Sequence, residues 1–285
     1  MTAREQMRPT IPGDEGRMKL LWKTCFGDED RYIDGFFAGG YTPGQALVLE
    51  SGGEIASMLL PFSQEIVGPD GTAVPIWYVY AFCTHPACQG RGFGRRLLAW
   101  TEQQAARQGK RGVVMVPGER SLFEFYGTLG YQTGFSTWER VISRENLAEQ
   151  LPQVTPCTWE EYQQLRAQWL RERWWIRYPE RSGAWQARLC RNSGGGLYRI
   201  GNGIAAVECW DGAVAVKELL TDGPEQAAQA LLAHPGAEQA LVRGPVPVIK
   251  AAGQRKPFGV VKWLDPAAQA WWQGEENGYL AFAFD

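Results

Sequence analysis

The spacing of apolar positions changes along the chain, and each change marks an element. From Met18 to Phe26 and again from Glu29 to Phe37, apolar residues recur every three to four positions, which predicts two amphipathic helices after a mobile start. The runs Ala46–Glu50 and Ile55–Leu60 flank the turn Ser51-Gly52-Gly53-Glu54 and read as a hairpin. A second turn, Gly68-Pro69-Asp70-Gly71, leads into Ile76–Thr84, a run of β-branched and aromatic residues that reads as a central strand. His85-Pro86 ends it, because proline has no N–H for a ladder. A glycine-rich turn, Gln89–Gly94, opens a helix from about Gly92 to Gln108, with Leu97, Leu98, Thr101 and Ala105 as its inward stripe and Gly109 as its stop. Val113–Val116 reads as a short buried strand, Ser121–Leu129 as a helix stopped by Gly130, and Phe135–Ile142 as a strand. Strand-helix alternation requires at least one parallel pairing and a layered, mixed-sheet α/β fold.

After a polar, proline-bearing stretch at 145–156 the pattern restarts. Trp159–Trp175 reads as helix, Gly203–Cys209 and Ala213–Leu220 as a hairpin around the turn Trp210-Asp211-Gly212, and Glu225–Ala233 as helix. Gln239–Val242, Phe258–Leu264 and Tyr279–Phe284 are strand-like. The second half repeats the architecture of the first at the level of pattern, which divides the chain into domains 1–145 and 146–285.

At 285 residues with 45% hydrophobic side chains and 13 tryptophans, the chain has ample core material for two domains. Trp169, Trp174, Trp175, Trp185 and Trp210 read as core rather than as ligand-stacking platforms. A net charge of −2, from 29 basic and 31 acidic residues, leaves no electrostatic footprint for nucleic acid. No apolar run has the length of a membrane span, and the first residues, MTAREQMRPTIPGDEG, lack the apolar core of a signal peptide. The six cysteines are scattered rather than spaced as a disulfide framework, which points to a reducing, cytoplasmic setting. Cys83, His85 and Cys88 lie close together, but zinc takes four ligands and no second cluster completes them, so no metal is expected.

The turn Thr84–Arg96, T-H-P-A-C-Q-G-R-G-F-G-R-R, carries the most chemistry. A strand ends, glycines allow close backbone approach, and a helix begins with N–H groups that have no internal partner. With the helix dipole these groups make an anion site suited to a pyrophosphate, and Arg91, Arg95 and Arg96 add positive charge. Gly90, Gly92 and Gly94 do not follow the dinucleotide-binding spacing, and no Gly-Lys-Ser/Thr ending makes a P-loop. The alternative is a tight strand-helix turn that holds nothing, with the basic residues on a solvated helix face.

Gln89-x-x-Gly92-x-Gly94 after a strand resembles the Q/R-x-x-G-x-G/A signature of the GNAT N-acetyltransferase superfamily, and Phe125-Tyr126-Gly-Thr-Leu-Gly130-Tyr131 resembles its second conserved segment. Cys25-Phe-Gly-Asp28 and Tyr80–Pro86 are similar to a bacterial subgroup with tandem GNAT-like halves. The resemblance covers roughly residues 18–142. It implies a complete N-terminal GNAT domain and acetyl-CoA as co-substrate. Gln89, Gly90, Arg91, Gly92, Phe93, Gly94 and Arg95 would hold the pyrophosphate. Phe82, Cys83 and Thr84 would offer backbone groups to the pantetheine arm, and Ser121 and Leu122 would start the next helix beside it. Where the family commonly carries an asparagine just before that helix, this chain has Glu119 and Arg120.

The implied activity is transfer of an acetyl group to a primary amine of a small molecule or peptide by direct attack. Tyr126 is the implied acid for the leaving thiolate; the alternative is that its ring only packs under the sheet. Glu50, Glu119, Glu208, Glu218 and the C-terminal carboxylate at Asp285 are open candidates for the base, as is a water chain. After Leu220 the pattern fails: Thr221-Asp222-Gly223-Pro224-Glu225 places acid where a pyrophosphate would sit. The C-terminal half is therefore expected to be a degenerate GNAT-like domain without cofactor that walls the acceptor pocket. A catalytically silent acyl-CoA-binding or scaffold protein of the same fold is the competing reading.

Overall fold

A computed structural model of the chain describes residues 5–143, 150–210, 213–233, 238–245, 254–274 and 278–283. The linker residues 145–149, the turn residues Asp211 and Gly212, His234, Phe284 and Asp285 lie outside them.

From Glu5 onward the chain is not the loose segment that the sequence suggested. Strand β1 (Glu5–Pro9) runs antiparallel to β2 (Leu47–Ser51), with Met7 opposite Leu49. Its anchor is electrostatic and leaves no hydropathy signal: Arg8 reaches Asp14 at 2.6 Å and Glu50 at 2.5 Å. Helix α1 (Glu15–Phe26) buries Met18, Leu21 and Trp22, and ends where Gly27 takes a left-handed φ of 75° and its N–H returns to the Lys23 carbonyl. Helix α2 (Asp30–Gly39) buries Ile33, Phe36 and Phe37 on the same core.

Strand β2 forms the expected hairpin with β3 (Glu54–Val67), and β3 pairs antiparallel with β4 (Ala73–Thr84). Helix α3 (Phe93–Arg107) then crosses back so that β5 (Gly112–Met115) runs parallel to β4, from Ile76 opposite Gly112 to Val79 opposite Met115. Helix α4 (Arg120–Gly127) and strand β6 (Gln132–Ser143) follow.

The second half runs β7 (Val154–Pro156), α5 (Trp159–Leu170), β8 (Trp175–Arg177), α6 (Glu180–Asn192), β9 (Gly196–Ile200), β10 (Gly203–Trp210) and β11 (Ala213–Leu220). Helix α7 (Pro224–Ala233), β12 (Gln239–Gly244), β13 (Gln254–Trp263) and α8 (Pro266–Trp271) complete it. The helix expected to reach Trp175 stops at Leu170, because Trp175–Arg177 pairs with Val67–Glu65 of β3. Tertiary pairing overrides local helical spacing there. The strand expected at Tyr279–Phe284 is reduced to single parallel bridges, Gly278 to Phe135 and Tyr279 to Trp175.

The two halves share one sheet, in the order β1-β2-β3-β4-β5-β13-β6-β12-β11-β10-β9-β7, with β8 on the side at β3. Strand β11 is parallel to β12 just as β4 is to β5. The halves are also interleaved: β13 lies antiparallel beside β5, β6 lies antiparallel beside β12, and these two strands pair with each other. One face of the sheet carries a core common to both halves, built from Trp22, Phe36, Tyr162, Trp175, Trp185 and the C-terminal residues Tyr279–Ala283. The other face carries two separate cores, one under α3 and α4 and one under α7. Alternation along β4 divides its side chains accordingly, with Ile76 and Tyr78 in the common core and Trp77 and Val79 under α3.

Candidate functional site

The sheet opens next to β4. Pairing with β5 ends at Val79 and Met115, while β4 runs on to Thr84. At the same place β4 carries an extra residue against β3: Met58 faces Cys83, yet Leu60 faces Tyr80. Ala81 absorbs the irregularity at φ 48°, a left-handed conformation unusual for a residue with a Cβ. Beyond the bulge the edge of β4 that faced β5 has no strand partner among the described residues.

That edge borders a cleft of about 1000 Å³. Phe82, Cys83 and Thr84 line it from β4, residues 89–95 from the turn and the start of α3, and Leu122 and Tyr126 from α4. Every residue the sequence assigned to donor binding, together with Tyr126, is thus at one place except Ser121, which is exposed, its hydroxyl donating to the Glu119 carboxylate. Cys25, Phe26, Pro86, Cys88 and Phe125 also line the cleft and went unassigned. A signal for Cys25 and Phe26 existed in the Cys25–Asp28 segment, but nothing in the sequence alone placed the end of α1 against β4.

The turn has the geometry an anion requires. Gly90 and Gly92 both sit at φ 75°, where side chains are strained. The first backbone bond of α3 runs from the Arg96 N–H to the Gly92 carbonyl, so the amides of Phe93, Gly94 and Arg95 precede the ladder at the positive end of the helix dipole. Gly94 lets that end approach β4 closely: a Cβ there would lie 3.0 Å from Thr84 Oγ1 and 3.3 Å from the Phe82 ring. The frame behind is fixed by short bonds. Ser57 Oγ donates to the Cys83 carbonyl at 2.7 Å, and Ala87 N–H donates to His85 Nδ1 at 3.2 Å. Gln89 Nε2 folds back on the Thr84 carbonyl at 3.4 Å.

The three arginines of the motif separate in space. Arg91 and Arg96 stack on the Phe93 ring at 4.4 and 5.1 Å, and both turn toward Glu5 of β1, at 3.9 and 2.6 Å. Arg95 lines the cleft. The role of Glu5 could not be read without β1.

Tyr126 is buried, with Phe82 at 6.5 Å, Tyr131 at 5.8 Å and Phe125 at 5.3 Å between ring centres. Burial pushes its phenol up to about 12. Of the candidate bases, Glu119 lines the cleft. Glu50 is held by Arg8, Glu208 faces Lys217 at 3.4 Å, and Glu218 is enclosed by Arg166 at 2.8 Å and Tyr162 at 2.9 Å. Asp285 lies outside the described residues. Among the described residues no group of three His, Cys, Asp or Glu side chains is arranged to hold a metal, and no helix is long and apolar enough to cross a membrane.

Residues 6–134 match the family model described as an acetyltransferase (GNAT) domain. Comparison with curated protein sequences gives no match. Among solved structures, a GCN5-related N-acetyltransferase from Kribbella flavida aligns over 94% of this chain and 73% of its own, with a TM-score of 0.71 at 17% identity. Eis1 from Mycobacterium abscessus aligns over 92% and 75%, with a TM-score of 0.67 at 14% identity. A tandem GNAT protein from the clavulanic acid biosynthesis pathway aligns over 92% and 99%, with a TM-score of 0.55 at 13% identity. Residues 6–134 of this chain match a GNAT domain, and the chain as a whole has a tandem GNAT fold.

Proposed function

We propose that this protein is an N-acetyltransferase that moves an acetyl group from acetyl-CoA to a primary amine of a small molecule or peptide. The observation that carries the reading is the convergence, on one cleft, of the helix-end amides at 93–95, the free edge of β4 after Ala81, and the buried Tyr126. A diphosphate fits the first, an extended amide-bearing arm fits the second, and a thiol fits the third. Acetyl-CoA, when bound, supplies the activated thioester.

The chain's own residues do the rest. The amides of residues 90–95 neutralise the diphosphate without side-chain entropy loss, and Arg95 adds charge at the same rim. Residues 82–84 orient the arm by strand addition along the gap. Tyr126 holds its proton on the hydroxyl oxygen at neutral pH, as any phenol does and the more so for its burial, and donates it to the departing thiolate. Glu119 is the carboxylate of the cleft that can accept a proton from the amine, directly or through water. The C-terminal half walls the acceptor side. In support, β8 adds to β3 and Trp185 of α6 packs on Phe36 of α2 at 5.9 Å.

A thiol-release assay with acetyl-CoA across an amine library tests the reading. Release that depends on an added amine supports it. Saturable coenzyme A binding with no release for any amine class would instead establish the catalytically silent binder.

A further inference from the structure

We propose that Cys25 and Cys83 form a redox-active dithiol at the inner end of the cleft, which takes up oxidising equivalents from low-molecular-weight disulfides. The inference goes beyond the acetyltransferase reading and does not depend on it.

Cys25 closes α1 and Cys83 lies on β4 beyond the bulge. Cys25 Sγ reaches the Thr84 carbonyl at 3.6 Å, which brings it to the residue next to Cys83. Cys83 belongs to the core against which Cys25 packs, and both residues line the cleft. Their exposures differ in the way a dithiol exchange requires: Cys25 is half-buried and Cys83 buried. Hydrogen bonding from Cys83 lowers the pKa of Cys25, while the same contact and burial raise that of Cys83. Because it is the more accessible of the two, Cys25 is the attacking sulfur and Cys83 the resolving one. The cysteines of the second half have no such pairing; burial holds Cys157, Cys190 and Cys209 above the ordinary thiol value.

The exchange balances in two steps. The Cys25 thiolate attacks one sulfur of the small disulfide, whose S–S bond breaks; a mixed disulfide forms and one small thiolate leaves and takes a proton from water. Cys83 then gives its proton to solvent and attacks the Cys25 sulfur, forming the Cys25–Cys83 bond and releasing the second small thiol. The small disulfide is reduced to two thiols and the protein dithiol is oxidised. The new bond ties α1 to the stretch of β4 that borders the gap, and so narrows the cleft.

The test uses the intact protein with oxidised glutathione as the probe, followed by alkylation and peptide mass mapping. The expected result is a linked Cys25–Cys83 peptide that dithiothreitol removes, absent from Cys25→Ser and retained in Cys88→Ser. Coenzyme A should bind the oxidised protein about tenfold or more weakly than the reduced protein by calorimetry. A protein that stays fully reduced where free dithiothreitol is oxidised, or one whose bond maps to Cys88, overturns the proposal. Reduced protein that ignores coenzyme A but forms the linked peptide would sink the acetyltransferase reading and leave the dithiol standing.

Discussion

The two halves of the molecule build the same strand-helix crossover and finish it differently. From β4 to α3 the chain makes a wide turn, His85 to Gly92; from β11 to α7 it makes a short one, Thr221 to Gly223. The first turn holds Gly90 and Gly92 at positive φ and places no acid in the first turn of its helix. The second satisfies itself: Gly223 N–H donates to Thr221 Oγ1 at 3.3 Å, Asn202 Nδ2 donates to Asp222 at 2.8 Å, and Glu225 of α7 faces Arg140 at 3.6 Å. Both central strands carry a bulge, at Ala81 in β4 and at Lys217 in β11, where Ala206 faces Glu218 but Val207 faces Val216. Under β4 the adjoining helix α1 contributes Cys25 to a cleft, whereas under β11 helix α5 contributes Arg166, fully buried against Glu218. One frame therefore serves two ends, and what distinguishes an open glycine turn from a filled junction is a handful of residues.

The largest effect is expected on stability in the second half. Glu218→Gln leaves the Arg166 guanidinium buried without its counter-charge and should cost about 3–5 kcal/mol in chemical denaturation, with coenzyme A affinity of the folded protein unchanged. A loss under about 1 kcal/mol would mean that the pair is not what fills that junction. In the first half, Tyr126→Phe should lower kcat about 100-fold while the coenzyme A Kd stays within about twofold. The pH profile sharpens this. In the proposed mechanism the protonated phenol is the active form, and its pKa is raised to about 12, so activity should persist through the range where an ordinary phenol, near 10, would lose its proton. An alkaline limb centred near the ordinary value, and removed by Tyr126→Phe, would contradict the burial argument.

Gly92→Val should weaken coenzyme A binding by about tenfold or more, because a β-branched residue at φ 75° costs roughly 1–3 kcal/mol and moves the amides at 93–95. The smallest effect belongs to the second turn. Asp222→Asn should leave the coenzyme A Kd within about twofold, since the side chain bonds only within its own junction. A second binding event appearing in that variant would show that the charge at Asp222, and not the shortness of the turn, keeps a ligand out.

Periodic elements were legible from residue spacing because each buries one face. The stripe Leu97, Leu98, Thr101 and Ala105 of α3 is buried as expected, and the apolar run Ile76–Thr84 lies within β4. Elements held by ions or by remote pairing were not. Strand β1 depends on Arg8 with Asp14 and Glu50, and β8 on the edge of β3; neither leaves a period in the sequence. Helix α6 was missed although Trp185 and Leu189 are buried, since Gly183 and the arginines around it blur the stripe. That glycine is required by packing, as a Cβ there would fall 1.8 Å from the Trp159 ring. The cleft was legible where residues are consecutive, from Phe82 to Arg95, and illegible where it borrows from α1, because contact between Cys25 and Thr84 spans the whole hairpin between them. The exchange of β6 and β13 between the halves is likewise a property of the assembled sheet.

Calorimetric titration of the intact, reduced protein with coenzyme A is the most direct measure of the difference between the two turns. The anion site proposed at residues 90–95 and the filled junction at 221–223 together require saturation at one ligand per chain, abolished by substitution at Gly92 and indifferent to substitution at Asp222. No heat at concentrations that saturate ordinary acyl-CoA enzymes, or two ligands per chain, would contradict it.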